Sequence, residues 1–299
     1  MIANPIPWPG GARCACAITF DMDADSLIHI SRPEDAHDRL YPISMGRYGP
    51  TVAIPRILQT YRRLGIKQSF FVPGWCLEQY PDAVEAILAD GHEIGHHGYL
   101  HEDPVEAPDQ RVWFERAMEA HRRIVGRAPR GYRAPVYNVT QEVIDLLVEH
   151  GLRYDSSLMA DDIPYRMEVR APGRPGALWE MPVHWGTDDW PPFAHYAEIG
   201  YMMPVKAPAE GLTAFWEEFE AAYAAGGFFM MIAHPFLTGR LARWRLVDQW
   251  LERTLTERSV WFARLEDIAG HLDGLMASGA WAPRTEVLPY YEGPVLDRC

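Results

Sequence analysis

The stretch GHEIGHHGYLHEDP, residues 91–104, carries His92, His96, His97 and His101, and two of its pairs, His92 with His96 and His97 with His101, share a four-residue offset. Upstream, ITFDMDAD spaces Asp21, Asp23 and Asp25 two apart. GYRAPVY brings Arg133 and Tyr137, and MMIAHP ends an apolar run on His234. Neutral imidazoles and carboxylates are the donors a zinc-like cation takes, and two His with one carboxylate leave coordination positions open. A cation so held lowers the pKa of its water and polarises a carbonyl, which is the equipment for hydrolysing an unactivated amide. Asp21 and Asp23 leave the same face of an extended segment, so one can ligate while the other stays free as a base. Asp25 reads as a turn residue. Taken singly, a strand-end Asp caps a turn and a lone His is a satisfied structural residue. Four separate strand ends supplying Asp, His, Arg and His are poorly explained that way.

Those side chains need elements to position them. Short apolar runs alternate with amphipathic stretches: CACAITF (14–20), QSFFVPG, HEIGHH, GYRAP, RYDSS, LWEMPVHW, FFMMIAHP and VWF read as strands or strand ends. Between them, AIPRILQTYRRLG, YPDAVEAILADG, DQRVWFERAMEAHRRIVG, TQEVIDLLVEHG, GLTAFWEEFEAAYAAG and ARWRLVDQWLERTLTE read as helices, with Thr140 as an N-cap. The alternation predicts an α/β fold, a deformed (β/α) barrel of seven or eight strands with the site on the face where the strands end. No internal repeat or linker divides residues 1–299, so one domain is expected, with residues 280–299 as an extended tail available for contact between subunits. The connection 23–52 has no clear periodicity and is longer than a compact connection needs. It is expected over the mouth of the barrel, as a lid or a subunit contact.

Strand alternation separates the histidine pairs. His92, Ile94 and His96 share one face, and Glu93, Gly95 and His97 the other. Ile94 marks the first face as the one packed on helices, so His97 points into the barrel and the GYL turn can return His101 to the same point.

Composition narrows the partners. Of 299 residues, 48% are hydrophobic and 23% charged, and the formal net charge is −13. A phosphate backbone needs clustered Lys and Arg, so nucleic acid is not an expected partner. No apolar run approaches the ~20 residues of a membrane span. The N-terminal stretch, broken by Pro5, Pro7 and Pro9, does not read as a secretory signal. Cys14, Cys16, Cys76 and Cys299 form no disulfide framework and read as buried thiols of a reducing, cytoplasmic compartment.

The ordered set TFDMD, HGYLH, RAPVY and MMIAHP resembles the motifs of the polysaccharide deacetylases, which share a deformed (β/α) barrel and remove acetyl groups from glycans. TFDMD, with Met22 inserted between the aspartates, is similar to the peptidoglycan-deacetylase-like and cyclic-imidase-like branch. The resemblance spans roughly residues 14–270. It implies that Asp23, His97 and His101 hold a divalent metal, most often zinc, with cobalt, nickel or manganese as alternatives. It further implies Asp21 as general base, Arg133 as its orienting partner, and His234 as the acid that protonates the leaving nitrogen. A backbone N–H near Tyr137 would stabilise the oxyanion. The fourth motif is poorly matched; EMPVHWGTDDWPP lies in its place, with Glu180 and Trp185, beside Tyr137, as candidates for substrate contact.

Two hydrolase functions follow: deacetylation of an N-acetylglucosamine-containing glycan or amino sugar, and ring opening of a small cyclic imide or ureide by a homo-oligomeric enzyme. Two His and one carboxylate also describe a non-haem iron oxygenase, but those sites more often set His and carboxylate two apart on one strand, and Asp21 would be superfluous. A structural zinc site would close with four protein ligands.

Overall fold

Cys14–Asp21 forms the first strand, β1, and it is buried along its whole length. A computed structural model describes residues 2–170 and 175–296. Period-two alternation divides β1 between two packing layers. Cys14, Cys16, Ile18 and Phe20 join the core beneath the helices, while Ala15 and Ala17 face an interior shared with Phe71, Tyr154, Trp179, Phe228 and Met230. Small alanines on β1 make room for the aromatic side chains of its neighbours. Thr19 and then Asp21 continue the inward row.

The other strands are β2 (Ser69–Val72), β3 (Glu93–His96), β4 (Gly131–Tyr132), β5 (Tyr154–Asp155), β6 (Tyr165–Val169), β7 (Gly176–Glu180), β8 (Phe228–Ala233), β9 (Val260–Phe262) and β10 (Thr285–Leu288). They run in the order β10-β6-β7-β5-β4-β3-β2-β1-β8, parallel throughout except where β6 meets β7. β9 pairs with the start of β1 at Cys14–Cys16, whereas β2 pairs with its end at Phe20 and Asp21. Among the described residues no ladder joins β7 to β8. One parallel bridge, Asp188 with Ile232, spans that gap, and the Asp189 N–H donates to the Ile232 carbonyl at 3.0 Å. The fold is a deformed (β/α) barrel with the strand ends gathered on one face.

The helices form for local reasons. Ile54–Leu64 buries Ile54, Ile57, Leu58 and Tyr61 at helical spacing and ends on Gly65 at φ 69°. Gln141–Glu149 starts at Thr140, whose Oγ1 accepts the Val143 N–H at 3.3 Å. Among the described residues no helix is long and apolar enough to cross a membrane.

Three parts differ from the sequence reading. The connection 23–52 is not irregular: it carries helices Ser26–Ser31 and Leu40–Tyr48, and the second packs so closely that a Cβ on Gly46 would stand 2.4 Å from the Ala24 carbonyl oxygen. The strand expected over LWEMPVHW ends at Glu180, two residues before Pro182. Within the expected tail, Thr285–Leu288 pairs with β6. Cys14, Cys16 and Cys76 are buried free thiols, and Cys299 lies outside the described residues.

Candidate metal centre and active site

Beyond Asp21 the Met22 N–H still donates to the Phe71 carbonyl, at 2.8 Å. Asp23 follows, fully buried, with its carbonyl accepting the Cys76 thiol. Ala24 then turns the chain away at φ 51°. β3 delivers His97 just past its end, and the GYLH loop is folded around Glu102. That carboxylate accepts the N–H groups of Tyr99 and Leu100 at 2.8–3.0 Å and holds His101 in a left-handed conformation, φ 61°. A non-glycine residue kept at positive φ beside a cluster of donors is the kind of strain found at functional sites.

The ligand atoms of Asp23, His97 and His101 lie within 4.8 Å of one another. His97 Nδ1 donates to the Arg133 carbonyl at 2.7 Å, which leaves Nε2 with its lone pair facing inward. From there Nε2 is 3.3 Å from Asp23 Oδ1, and His101 Nε2 is 3.6 Å from Asp23 Oδ2. Both Asp23 oxygens and His97 Nε2 are buried without a hydrogen-bond partner. Orphaned buried acceptors are costly unless a ligand satisfies them. Two donors each ~2.0–2.1 Å from one tetrahedral cation sit roughly 3.4 Å apart, so these residues fit a divalent cation. Burial alone would raise the Asp23 carboxyl, but His101, His97 and His234 together hold it below the usual range. Burial pushes His101 down to about 4, which keeps its imidazole neutral and able to ligate.

His92 and His96 lie elsewhere. His92 Nδ1 accepts the Gln68 N–H at 2.9 Å, with the ring against Tyr61 and Phe70. His96 Nε2 meets the Phe114 carbonyl at 3.2 Å, and its Nδ1 accepts the Gly98 N–H at 3.1 Å.

Asp21 and His234 flank the cluster. Arg133, fully buried, donates from Nη1 to Asp21 Oδ1 at 2.6 Å and to Thr19 Oγ1 at 3.0 Å, and its other nitrogens reach Ser156. Asp21 Oδ2 is thereby left 3.9 Å from His97 Nε2. His234 Nε2 is 3.4 Å from Asp23 Oδ2, while its Nδ1 donates to Asp189 Oδ1 at 2.6 Å. Asp189 Oδ2 accepts the His234 and Thr238 N–H groups at 3.0 and 3.1 Å and also the Thr238 hydroxyl. Burial opposes charge on His234, yet Asp189, then Asp23 and Asp188, push it up to about 10.

A cavity of about 480 Å³ opens on this cluster, lined by Asp21, Asp23, His97, His101 and His234 and walled by Tyr137, Trp185, Trp190, Tyr201, Val136 and Leu27. Tyr137 and Trp185 meet edge to face at 4.9 Å, and the Tyr137 hydroxyl donates to Asp188 Oδ2. Glu180 does not belong here. Its Oε1 accepts the N–H groups of Ser157 and Leu158, in register with Asp155, so it braces β5 against β7 instead of facing the cavity. Asp188, from the same segment, lines the cavity instead, and Asp189 stands behind His234. The only signal for them in the sequence is the acidic pair of DDWPP.

Residues 48–154 match the family model described as Polysaccharide deacetylase. A peptidoglycan deacetylase of Helicobacter pylori is 28% identical over 250 residues, covering 75% of this chain and 84% of that protein. A solved structure from Mycobacterium smegmatis, classed as a polysaccharide deacetylase, is 34% identical, covers 97% of this chain and 99% of its own, and superposes with a TM-score of 0.86. An allantoinase structure shares the fold at 22% identity and a TM-score of 0.75, over 94% of this chain and 96% of its own.

Proposed function

Because the chain belongs to the polysaccharide deacetylase family, we propose that it is a divalent-metal-dependent hydrolase of non-peptide carbon–nitrogen bonds. The observation that carries this reading is the convergence of Asp23, His97 and His101, with three orphaned buried ligand atoms, between a carboxylate and an imidazole held in place from outside. Asp23, His97 and His101 hold the cation, which supplies Lewis acidity toward the scissile carbonyl and its attacking water.

The chain's own groups manage the protons. Asp21, fixed through Oδ1 by Arg133, takes a proton from water through its other oxygen as the new C–O bond forms. His234, held through Nδ1 by Asp189, presents Nε2 to the cavity and gives its proton to the nitrogen as the C–N bond breaks. An amide or imide and water thus become a carboxylate and an amine or amide. Each positioned proton transfer is worth about 10²–10⁴ in rate. The Tyr137 N–H is spent on the Ala134 carbonyl at 3.0 Å, so a backbone oxyanion donor in this turn falls to a neighbour such as Val136, at φ 48° on the cavity wall.

Zinc is the resident metal we favour, with cobalt, nickel or manganese able to replace it. Cys14, Cys16 and Cys76, buried and free, fit a reducing compartment. The relatives' names favour an N-acetylated sugar as substrate. The apolar, aromatic walls of the cavity favour the second reading, a small cyclic imide or ureide. Metal-loaded enzyme assayed against chito-oligomers, muropeptides, succinimide, hydantoin and allantoin tests both. Acetate release supports the first, ring opening the second, and activity that survives stringent chelation removes the metal-dependent reading.

A further inference from the structure

Apart from the metal cluster and the Asp21 and His234 pair, the ionisable groups facing the cavity are two tyrosines and one more carboxylate, Asp188. Asp188 sits on a bridge that spans the barrel's open seam, and it is 3% exposed. Oδ1 accepts the Trp190 N–H at 2.7 Å and Oδ2 accepts the Tyr137 hydroxyl. An ionised carboxylate offers about four acceptor positions, so roughly two remain. The wall's own donors do not fill them. Among the described residues no Lys, Arg, Asn, Gln, Ser or Thr side chain lines the cavity, and its remaining donors, the Trp185 and Trp190 indoles and the Tyr201 hydroxyl, make no hydrogen bond to Asp188. A carboxylate with spare acceptors in such a place is costly unless the occupant brings a donor. Away from the metal and His234, the same lack of Lys and Arg disfavours an occupant that carries a carboxylate or phosphate.

We propose that Asp188 is the specificity-determining residue of the site: it accepts an N–H of the substrate, at a nitrogen other than the one released, and so selects small uncharged ureides over simple imides, whose single nitrogen is the one released. The inference rests on the hydrolase reading above and names its substrate class. Tyr137 fixes the carboxylate's orientation through its hydroxyl, and Tyr137 with Trp185 forms the flat face beside it. An Asp188 oxygen lies within 4.8 Å of a His234 ring nitrogen, so a ring whose released nitrogen faces His234 can turn its other N–H to Asp188. Sites built to bond a substrate N–H reject analogues that lack it, because a buried polar group is left unpaired.

Hydantoin and 1-methylhydantoin differ at such a nitrogen, and their binding and turnover test the proposal. Wild-type enzyme should favour hydantoin by at least about 100-fold in kcat/KM. Asp188→Asn, which keeps the size and turns one acceptor into a donor, should lower kcat/KM for hydantoin by about 10–100-fold, chiefly through KM, and compress the preference to below about 10-fold. Tyr137→Phe keeps the acceptor and loses only the group that orients it, so it should reduce the preference by less than Asp188→Asn does. Calorimetric binding to the metal-stripped protein should show the same preference and its compression in Asp188→Asn, so the result does not depend on turnover. A uniform loss on both compounds in Asp188→Asn, or an unchanged preference, overturns the proposal. If chito-oligomers are deacetylated while neither ring binds, the substrate class is wrong and the hydrolase reading stands. If nothing is hydrolysed and hydantoin still binds through Asp188, it is the hydrolase reading that fails.

Discussion

Arg133 and Asp21 form a fully buried ion pair, and a double-mutant cycle measures how far each depends on the other. Arg133 makes five polar contacts: to Asp21 at 2.6 Å, Thr19 at 3.0 Å, the Ser156 carbonyl at 3.2 Å, Ser156 Oγ at 2.9 Å and Met230 Sδ at 3.3 Å, with its guanidinium 4.2 Å over the Phe71 ring. Asp21→Asn removes the one charged acceptor and leaves the rest, a loss of about 1.5–3 kcal/mol. Arg133→Met removes every contact and strands a buried carboxylate, placing it in the 3–5 kcal/mol range typical of a broken buried pair, about 4–5 kcal/mol here. In the double variant no unpaired charge remains, so its cost should fall short of the sum by about 2–3 kcal/mol. Urea unfolding of chelator-treated protein at neutral pH reads all four corners without interference from bound metal. A coupling below about 0.5 kcal/mol would refute the idea that Arg133 holds Asp21.

Other outcomes follow from other parts of the molecule. His121 is fully buried with neither ring nitrogen bonded, and burial pushes it down to about 3. Its unfolded value is about 6.5, so the unfolded chain takes up the proton first and stability is lost as pH falls from about 6.5 towards 3. At about pH 5 the loss is about 2 kcal/mol, and His121→Phe should abolish that portion of the difference between neutral and acid unfolding curves; an unchanged difference contradicts it. Gly46→Ala should cost about 1–3 kcal/mol and weaken metal binding, because the new Cβ, 2.4 Å from the Ala24 carbonyl, drives the 40–48 helix off the loop that carries Asp23. Unaltered melting and metal titration would show that this packing is irrelevant to the site. Asp189→Asn should retain the cation and lower turnover about 10²–10⁴-fold, and undiminished turnover would take the acid's role from His234.

Much of the catalytic face is legible in the sequence because β1 and β3 are regular. Period two along Cys14–Asp21 puts Asp21 inward, and period two from Gly91 to His97 turns His92 and His96 toward Gln68 and Phe114, away from the cation cluster. The same rule fails after Glu180. Pro182 ends the strand, so facing can no longer be counted along the chain, and Glu180 turns to Ser157 while Asp188 and Asp189 arrive through one bridge to Ile232. Nothing local announces that bridge. β6 and β10 are hidden for a related reason, since Tyr165–Val169 and Thr285–Leu288 pair across more than a hundred residues. Within 23–52 the helices are short, and Pro42 and Gly46 blur the apolar spacing of the second.

The position of the cation decides the chemistry most directly. Equilibrium dialysis with zinc should find one tightly bound ion per chain, lost in Asp23→Asn, His97→Ala and His101→Ala, and retained in Asp21→Asn and in His92→Ala. Binding that survives loss of Asp23, or that disappears with Asp21 or His92 in a folded protein, would contradict it.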